Sequence, residues 1–598
     1  MTESESESES ESQSSGAALV PSPAGDPATL EIVRHALGSV ADEMALIIAR
    51  TAYSATVRDA LDYSTGILNA DGELVAQGLG IALHLGSFPS AVGHVARAYG
   101  TSFQPGDVFI LNDPYGWGGI HLPDIYLIKP IFHDGTVRAF AAAVAHQTDV
   151  GGLIPSSNST TTTEIFQEGL RLPGIHLYEA GTVNQAVLDI IAANVRVPHM
   201  VLGDIRAQLA AVDAGERGYL ELIARYGADG MAELEEALLT LAERMARREI
   251  ESFPDGRYHQ VAWIDSDSVG PDPIRIEVDV TVAGDSITVD FAGTSRQVPG
   301  GINSPLPFTK SAVYAATRLV LDRSIPNSGG YFRAITVTAD EGTVVNPLFP
   351  AACGARGITG FRVMDAVTGA LAQAAPDRVP ADGEGGNTII SMGGDDAVGR
   401  PFVYVDMFSG ARGAGKGYDG PAGVPHPGSN NANMPIEIAE STYPLHFVRY
   451  GIVEDSASPG QWRGSPALVR EFDYLGPDVE VQVRSDKRAH LPFGLAGGAP
   501  GRPSMTTVEH SGEVTERPVI GPSPLRTGDR FRHELASGAG WGDPLARDPA
   551  AVLRDVRNGV IGVARALADY GVVITADEQV DGRATDAERD RRRVNGGG

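Results

Sequence analysis

A single cysteine, Cys353, stands in 598 residues, which leaves no internal disulfide framework to staple the fold. It lies in Pro350-Ala-Ala-Cys353-Gly-Ala, a run of small residues that reads as a buried, inert thiol rather than a nucleophile. Long apolar runs are absent as well: no window approaches the roughly eighteen uninterrupted apolar residues of a membrane span. The first residues are acidic where a secretory signal would be basic and then apolar, so a cytoplasmic protein with no membrane partner is expected. Basic stripes are missing too. The formal charge is −29, from 47 lysines and arginines against 76 aspartates and glutamates, which excludes a nucleic-acid partner.

No G-x-S-x-G nucleophile elbow occurs, and no repeat of fixed period. A phosphate loop is the nearest miss. Gly410-Ala-Arg-Gly-Ala-Gly415-Lys416-Gly417 fits G-x-x-x-x-G-K after the apolar strand Phe402 to Phe408, but Gly417 stands where Ser or Thr must hold magnesium. The Tyr-Asp-Gly-Pro-Ala-Gly-Val-Pro that follows cannot open the helix whose N-terminus would face phosphates. An ordered glycine-rich loop near a site or an interface is expected instead.

What is present fits a multidomain mixed α/β (α+β) protein, since the length exceeds a single core. Residues 1–28 begin with a Glu-Ser alternation that places five negative charges between residues 3 and 11, and read as a disordered acidic tail. Leu30, Val33, Leu37, Val40, Met44, Ile47 and Ile48 then mark an amphipathic helix. It opens an N-terminal domain, 29–251, of hairpins and covering helices, the latter over 183–250 with a break at Gly227-Ala-Asp-Gly230. A middle α/β domain, 252–382, begins with strict alternation from Ile274 to Val282 and a turn at Gly284-Asp285. Helices at about 308–322 and 360–374 and strands around Ala334 to Val345 follow. Glycine-rich, β-rich sequence fills 383–575 and closes on a helix near 549–570, after which 576–598 reads as a disordered tail.

The chemistry concentrates in His121-Leu-Pro-Asp124 and His146-Gln-Thr-Asp149, which flank two apolar strands joined at Asp134-Gly135, a strong hairpin signal. If His133 faces Thr136, facing residues sum to 269, so His146 lies opposite Pro123 and beside Asp124. Two imidazoles and a carboxylate leave coordination positions open, as hydrolytic zinc and non-haem iron or manganese sites do. A polar hairpin end whose histidines bond backbone carbonyls is the competing reading. Asp62 and His84, each taken alone, read as satisfied structural polar groups; Glu164 and Glu168, four apart, read as a solvated helical face.

The order Asn112-Asp-Pro-Tyr-Gly-Trp-Gly-Gly-Ile-His121-Leu-Pro-Asp124, then Ala145-His146-Gln-Thr-Asp149-Val-Gly-Gly, resembles the hydantoinase B / oxoprolinase family, which also includes the alpha subunits of acetone and acetophenone carboxylases. Leu61-Asp62-Tyr-Ser64, Gln167-Glu168-Gly-Leu, Asn194-Val-Arg196-Val-Pro198 and Gly203-Asp204-Ile-Arg-Ala-Gln208 extend the likeness. So do Asn433-Met-Pro-Ile-Glu437, Pro459-Gly-Gln-Trp-Arg463-Gly464 and Gly540-Trp-Gly-Asp-Pro544, and the resemblance runs from about residue 29 to 573. Met434, where relatives often have Thr, and Asp455-Ser-Ala-Ser-Pro-Gly depart from the pattern and bear on substrate more than on chemistry.

The resemblance implies a metal-bearing B subunit in a hetero-oligomer with a hydantoinase A-type subunit that uses ATP. The partner would phosphorylate the oxygen of a small cyclic amide or ketone. In the hydrolase branch water activated at the metal attacks the carbonyl carbon; in the carboxylase branch an enol phosphate attacks carbon dioxide. Carried over, His121, Asp124 and His146 are ligands of a divalent zinc, manganese or iron ion. Asp62 is a further ligand or the base, and Asp62, His146 and Asp149 are the catalytic candidates. ATP-dependent opening of a hydantoin, oxoproline or lactam leads; a ketone carboxylase alpha subunit and a non-catalytic structural subunit are the alternatives.

Overall fold

A computed structural model describes residues 26–595, apart from 387 and 397. The acidic segment expected to be disordered lies, up to residue 25, outside the described residues; the first helix starts at Pro27, with the Asp26 carboxylate accepting from Ala28 N and Thr29 N as its N-cap.

Seven strands form the first sheet: β1 (Tyr63–Asn69), β2 (Leu74–Gln77), β3 (Val108–Leu111), β4 (Asp124–His133), β5 (Thr136–His146), β6 (Ile175–Glu179) and β7 (Thr182–Val183). Their order is β2-β1-β5-β4-β3-β6-β7. β4 and β5 are buried on both faces, and residue parity decides which core each side chain joins. Ile125, Leu127, Ala141, Ala143 and Ala145 pack with Val33, Leu37 and Met44 of the first helix and Val201, Ile205 and Val212 of the helix Pro198–Tyr226. The alanines let these helices lie close: a Cβ on Gly215 would meet Met44 Sδ at 2.6 Å and Ala141 Cβ at 3.0 Å.

Tyr126, Ile128, Ala142 and Val144 face the other way, into a core that continues through the second sheet and the helix Gly357–Ala374. Asp62, Asp124 and His146 carry the same even parity. The first sheet therefore presents its polar end to the second half of the chain.

The second sheet holds Gly256–Ile264, Ile274–Ala283, Ser286–Asp290 and Ile335–Thr338, with the expected turn at Gly284-Asp285. Its helices run Leu306–Arg318 and Gly357–Ala374, a few residues from their expected places. A four-stranded sheet, Thr388–Asp395, Pro401–Phe408, Val479–Arg484 and Ile520–Leu525, and a five-stranded one follow. The helix expected near 549–570 is two, Pro549–Arg557 and Val563–Tyr570, parted at Gly559 with φ +67°.

The terminal segment corrects the sequence reading: Gly582–Asn595 is a helix, not a disordered tail. It has little apolar surface to signal it. Arg589 anchors it instead, donating from Nε to Tyr570 O at 2.9 Å and from Nη2 to Arg547 O at 2.7 Å. Among the described residues no helix is long and apolar enough to cross a membrane.

Candidate metal centre

The Asp134-Gly135 turn sets the hairpin as expected for two pairs only. His133 faces Thr136 and Phe132 faces Val137, then a bulge at Arg138 shifts the register so that Ile131 faces Ala139. From there facing residues sum to 270, and His146 lies directly opposite Asp124 rather than opposite Pro123. The extra residue improves the site. β1 adds its own end: Tyr63 faces Ala145, and His146 N donates to Asp62 O at 3.0 Å. Asp62, His146 and Asp124 thus form one row across three adjacent strands, pointing to one face.

His121 enters from the loop before β4, where Asp124 N closes a turn onto His121 O at 3.2 Å. Asn112 clamps that loop, donating from Nδ2 to Leu122 O and Leu170 O and accepting from Leu172 N. Gly119 is required there, since a Cβ would lie 2.5 Å from Asn112 O. His121 Nδ1 bonds Gly354 O at 2.9 Å, which sets Nδ1 as the protonated nitrogen and turns Nε2 to within 3.0 Å of Asp124 Oδ2. The His121 and His146 rings stand 5.1 Å apart, and one ligand atom from each of His121, Asp124 and His146 falls within 4.8 Å of the others.

His121 Nε2, Asp124 Oδ1, His146 Nδ1 and Asp62 Oδ1 are all buried without a hydrogen-bond partner among the described residues. Four orphaned ligand-type atoms in one place are costly unless something binds them. Burial, with the charge of Arg356, holds His121 down to about 4, and burial holds His146 down to about 3. Burial works against Asp124, but His121 and Arg356 outweigh it and keep the carboxylate well below its usual range. Neutral imidazoles and an ionised carboxylate are the forms a divalent cation binds, so the residues fit a metal.

Asp62 stands outside the tight trio. Its Oδ1 is 3.9 Å from His84 Nε2, which is also 3.9 Å from Asp124 Oδ2, and burial with the Asp124 charge pushes Asp62 up to about 8. His84, read from sequence as structural, is therefore part of the centre. Ser64 Oγ takes its Nδ1 at 3.2 Å and aims Nε2 between the two carboxylates.

Asp149 does not join the cluster. Its oxygens accept from Gly151 N, Ser156 N, Arg196 N and Arg196 Nη1, so the proposed catalytic residue organises the loop after β5. Glu168 moves in the opposite direction. Glu164 and Glu168 flank a single turn, Ile165–Gln167, and only Glu164 is exposed. Glu168 is 1% exposed and accepts from Thr162 Oγ1, Cys353 N and Gly354 N, so it holds the segment whose Gly354 carbonyl orients His121. Cys353 is buried, and burial with the Glu168 charge raises its thiol well above the ordinary range. Lys416 pairs with Asp377 at the surface, and no helix follows its loop before Ile436.

Two arginines had no sequence signal. Arg356 donates to Asp124 Oδ2, and Arg484 donates from Nη1 to Asn158 Oδ1 at 3.0 Å and Gly354 O at 3.4 Å. Both come from more than 200 residues beyond the hairpin, as the separation of 232 between Arg356 and Asp124 shows. With Asp62, His84, His146, Asn431 and the apolar Ile81, Leu83, Phe308, Phe361, Ile389 and Met407 they enclose a cavity of about 40 Å³.

The fold recurs in known proteins. The caprolactamase subunit beta of Pseudomonas jessenii is 33% identical over 94% of this chain and 99% of its own length. The crystal structure of the ATP-dependent caprolactamase from Pseudomonas jessenii superposes with a TM-score of 0.87 at 31% identity, covering 94% of this chain and 99% of that one. Nucleotide-free acetone carboxylase shares the fold, with a TM-score of 0.86 at 19% identity over 96% of this chain and 83% of the other. The profile described as Hydantoinase B/oxoprolinase matches residues 26–544, and the chain belongs to that family.

Proposed function

We propose that this chain is the metal-bearing B subunit of a cytoplasmic, ATP-dependent hydrolase that opens a small cyclic amide, assembled with an ATP-binding A subunit that activates the substrate. The observation that carries this reading is the convergence of four orphaned ligand-type atoms, from Asp62, His121, Asp124 and His146, beside a cavity that Asp62 and His146 line. The relatives supply the reaction class, since an ATP-dependent caprolactamase covers almost the whole chain.

His121, Asp124 and His146 would hold zinc, manganese or iron. The ion, when bound, supplies Lewis acidity that lowers the pKa of water and polarises a carbonyl oxygen. In its ionised form Asp62 Oδ1 accepts a proton of the attacking water and passes it to the ring nitrogen as the C–N bond breaks; the acyl phosphate that remains is cleaved by a second water to a carboxylate and inorganic phosphate. His84 fixes Asp62 against Asp124. Arg356 keeps Asp124 ionised, and the apolar walls from Ile81 to Met407 exclude bulk water from the activated amide.

Purified complex with its partner should open caprolactam, hydantoin or 5-oxoproline in an ATP-dependent way without bicarbonate. Asp62→Asn should retain stoichiometric metal and lower kcat by about 10²–10⁴. ATP turnover that requires bicarbonate, with labelled carbon fixed into an acid, would replace this reading with ketone carboxylation; metal-free active protein would sink the centre itself.

A further inference from the structure

Arg484 is buried, yet no carboxylate lies within 4 Å of it among the described residues. Its partners are the neutral Asn158 Oδ1 and Gly354 O, and its Nε has none. Arg356, also buried, gives Nη2 to Asp124 and leaves its own Nε without a partner. Both side chains line the metal cavity. A buried guanidinium with no carboxylate in contact is costly to keep.

A third feature shares that wall. The 18-residue helix Gly357–Ala374 begins at the cavity, its N-cap is Arg356, and no side chain caps it. The helix start and the guanidinium adjoin, since a Cβ on Gly357 would stand in ordinary contact with Arg484 Nη2 at 3.5 Å. An uncapped helix N-terminus and two guanidiniums facing one space form an anion receptor. The charge balance points the same way. Even with Asp62 and Asp124 both ionised the two arginines are only offset, so a divalent ion on His121, Asp124 and His146 would leave the site with at least two uncompensated positive charges.

We infer that Arg484, Arg356 and the N-terminus of the helix Gly357–Ala374 form a receptor for a phosphoryl group carried by the substrate, placed across the cavity from Asp62 and His84. This rests on the proposed function, in which the amide arrives already activated by ATP. A tetrahedral phosphoryl group offers several oxygens to donors that approach from different sides, whereas a carboxylate offers two in one plane. The cavity of about 40 Å³ holds on the order of three waters, the space of one such group.

The test uses metal-loaded full-length protein and inorganic phosphate, followed by calorimetry. Wild type should bind phosphate with acetate at least tenfold weaker, and Arg484→Met should weaken phosphate at least tenfold with metal content unchanged. Arg484→Gln, which keeps a donor for Asn158, replaces the methionine variant if that one does not fold. Phosphate binding unaltered in either folded variant would place the anion on the metal alone and overturn the inference, as would no phosphate binding by wild type. Equal affinity for acetate would reassign the receptor to a substrate carboxylate. Metal content and ATP-dependent ring opening are measured in the same preparations. If they persist while phosphate binding ignores Arg484, the receptor fails and the enzyme reading stands; if metal is absent from wild type, that reading itself fails.

Discussion

Two buried clusters of charge lie at opposite ends of the helix Gly357–Ala374's first three turns, and they differ in one respect. Around Asp365 three carboxylates each meet a cation, while the neighbouring Glu384 is held by Gly410 N and Ala411 N: Asp365 meets Arg362, Lys487 and His426, Asp382 meets Lys487, and Asp486 meets Arg362. At the hairpin end the imidazoles are neutral, Arg484 has no carboxylate within 4 Å among the described residues, and atoms of four ligand-type residues are left over. A closed set of pairs holds chain segments together. An open set is built for something that arrives from outside, because its desolvation is otherwise unrepaid.

Opening the unpaired cluster further should abolish chemistry but not folding. His121→Ala is expected to bring metal content near zero by elemental analysis and to remove ring opening, while the denaturation midpoint hardly moves. A large loss of stability with metal retained would contradict the distinction.

The paired cluster should behave in reverse. Arg362→Met leaves Asp365 and Asp486 short of a buried partner and should cost about 3–5 kcal/mol in denaturant unfolding. Surviving folded protein should keep its metal, and loss of metal at normal stability would show that the two clusters are one.

Glu168 lies between these extremes, because it acts on His121 only through Gly354. Glu168→Gln keeps one acceptor and should weaken metal affinity by about 10–100-fold, the usual effect of losing a supporting group behind a ligand. Competition against a calibrated chelator reads this directly, and metal added in excess should restore activity. Unrescued loss would assign Glu168 a role at the substrate.

Much of this was legible along the chain. The Asp134-Gly135 turn, the period-two alternation of Ile274 to Val282 and the three-four spacing of Leu30 to Ile48 are local signals, each resting on backbone preferences that do not need the rest of the molecule. His121, Asp124 and His146 were readable for the same reason: one short hairpin brings them together. The register carried an error of one residue, since the bulge at Arg138 leaves no mark in composition.

The sequence alone determined a multidomain α/β chain, a hairpin with two histidines and an aspartate at its open end, and a phosphate loop that could not work. Tertiary structure decided that Asp149 is occupied by Arg196, that Glu168 is buried behind Gly354, and that residues 582–595 dock as a helix. It also placed Arg356 and Arg484 at the cavity. The reason is distance along the chain: partners separated by 47 to 326 residues share no periodicity or spacing, and only the folded core brings them to one point.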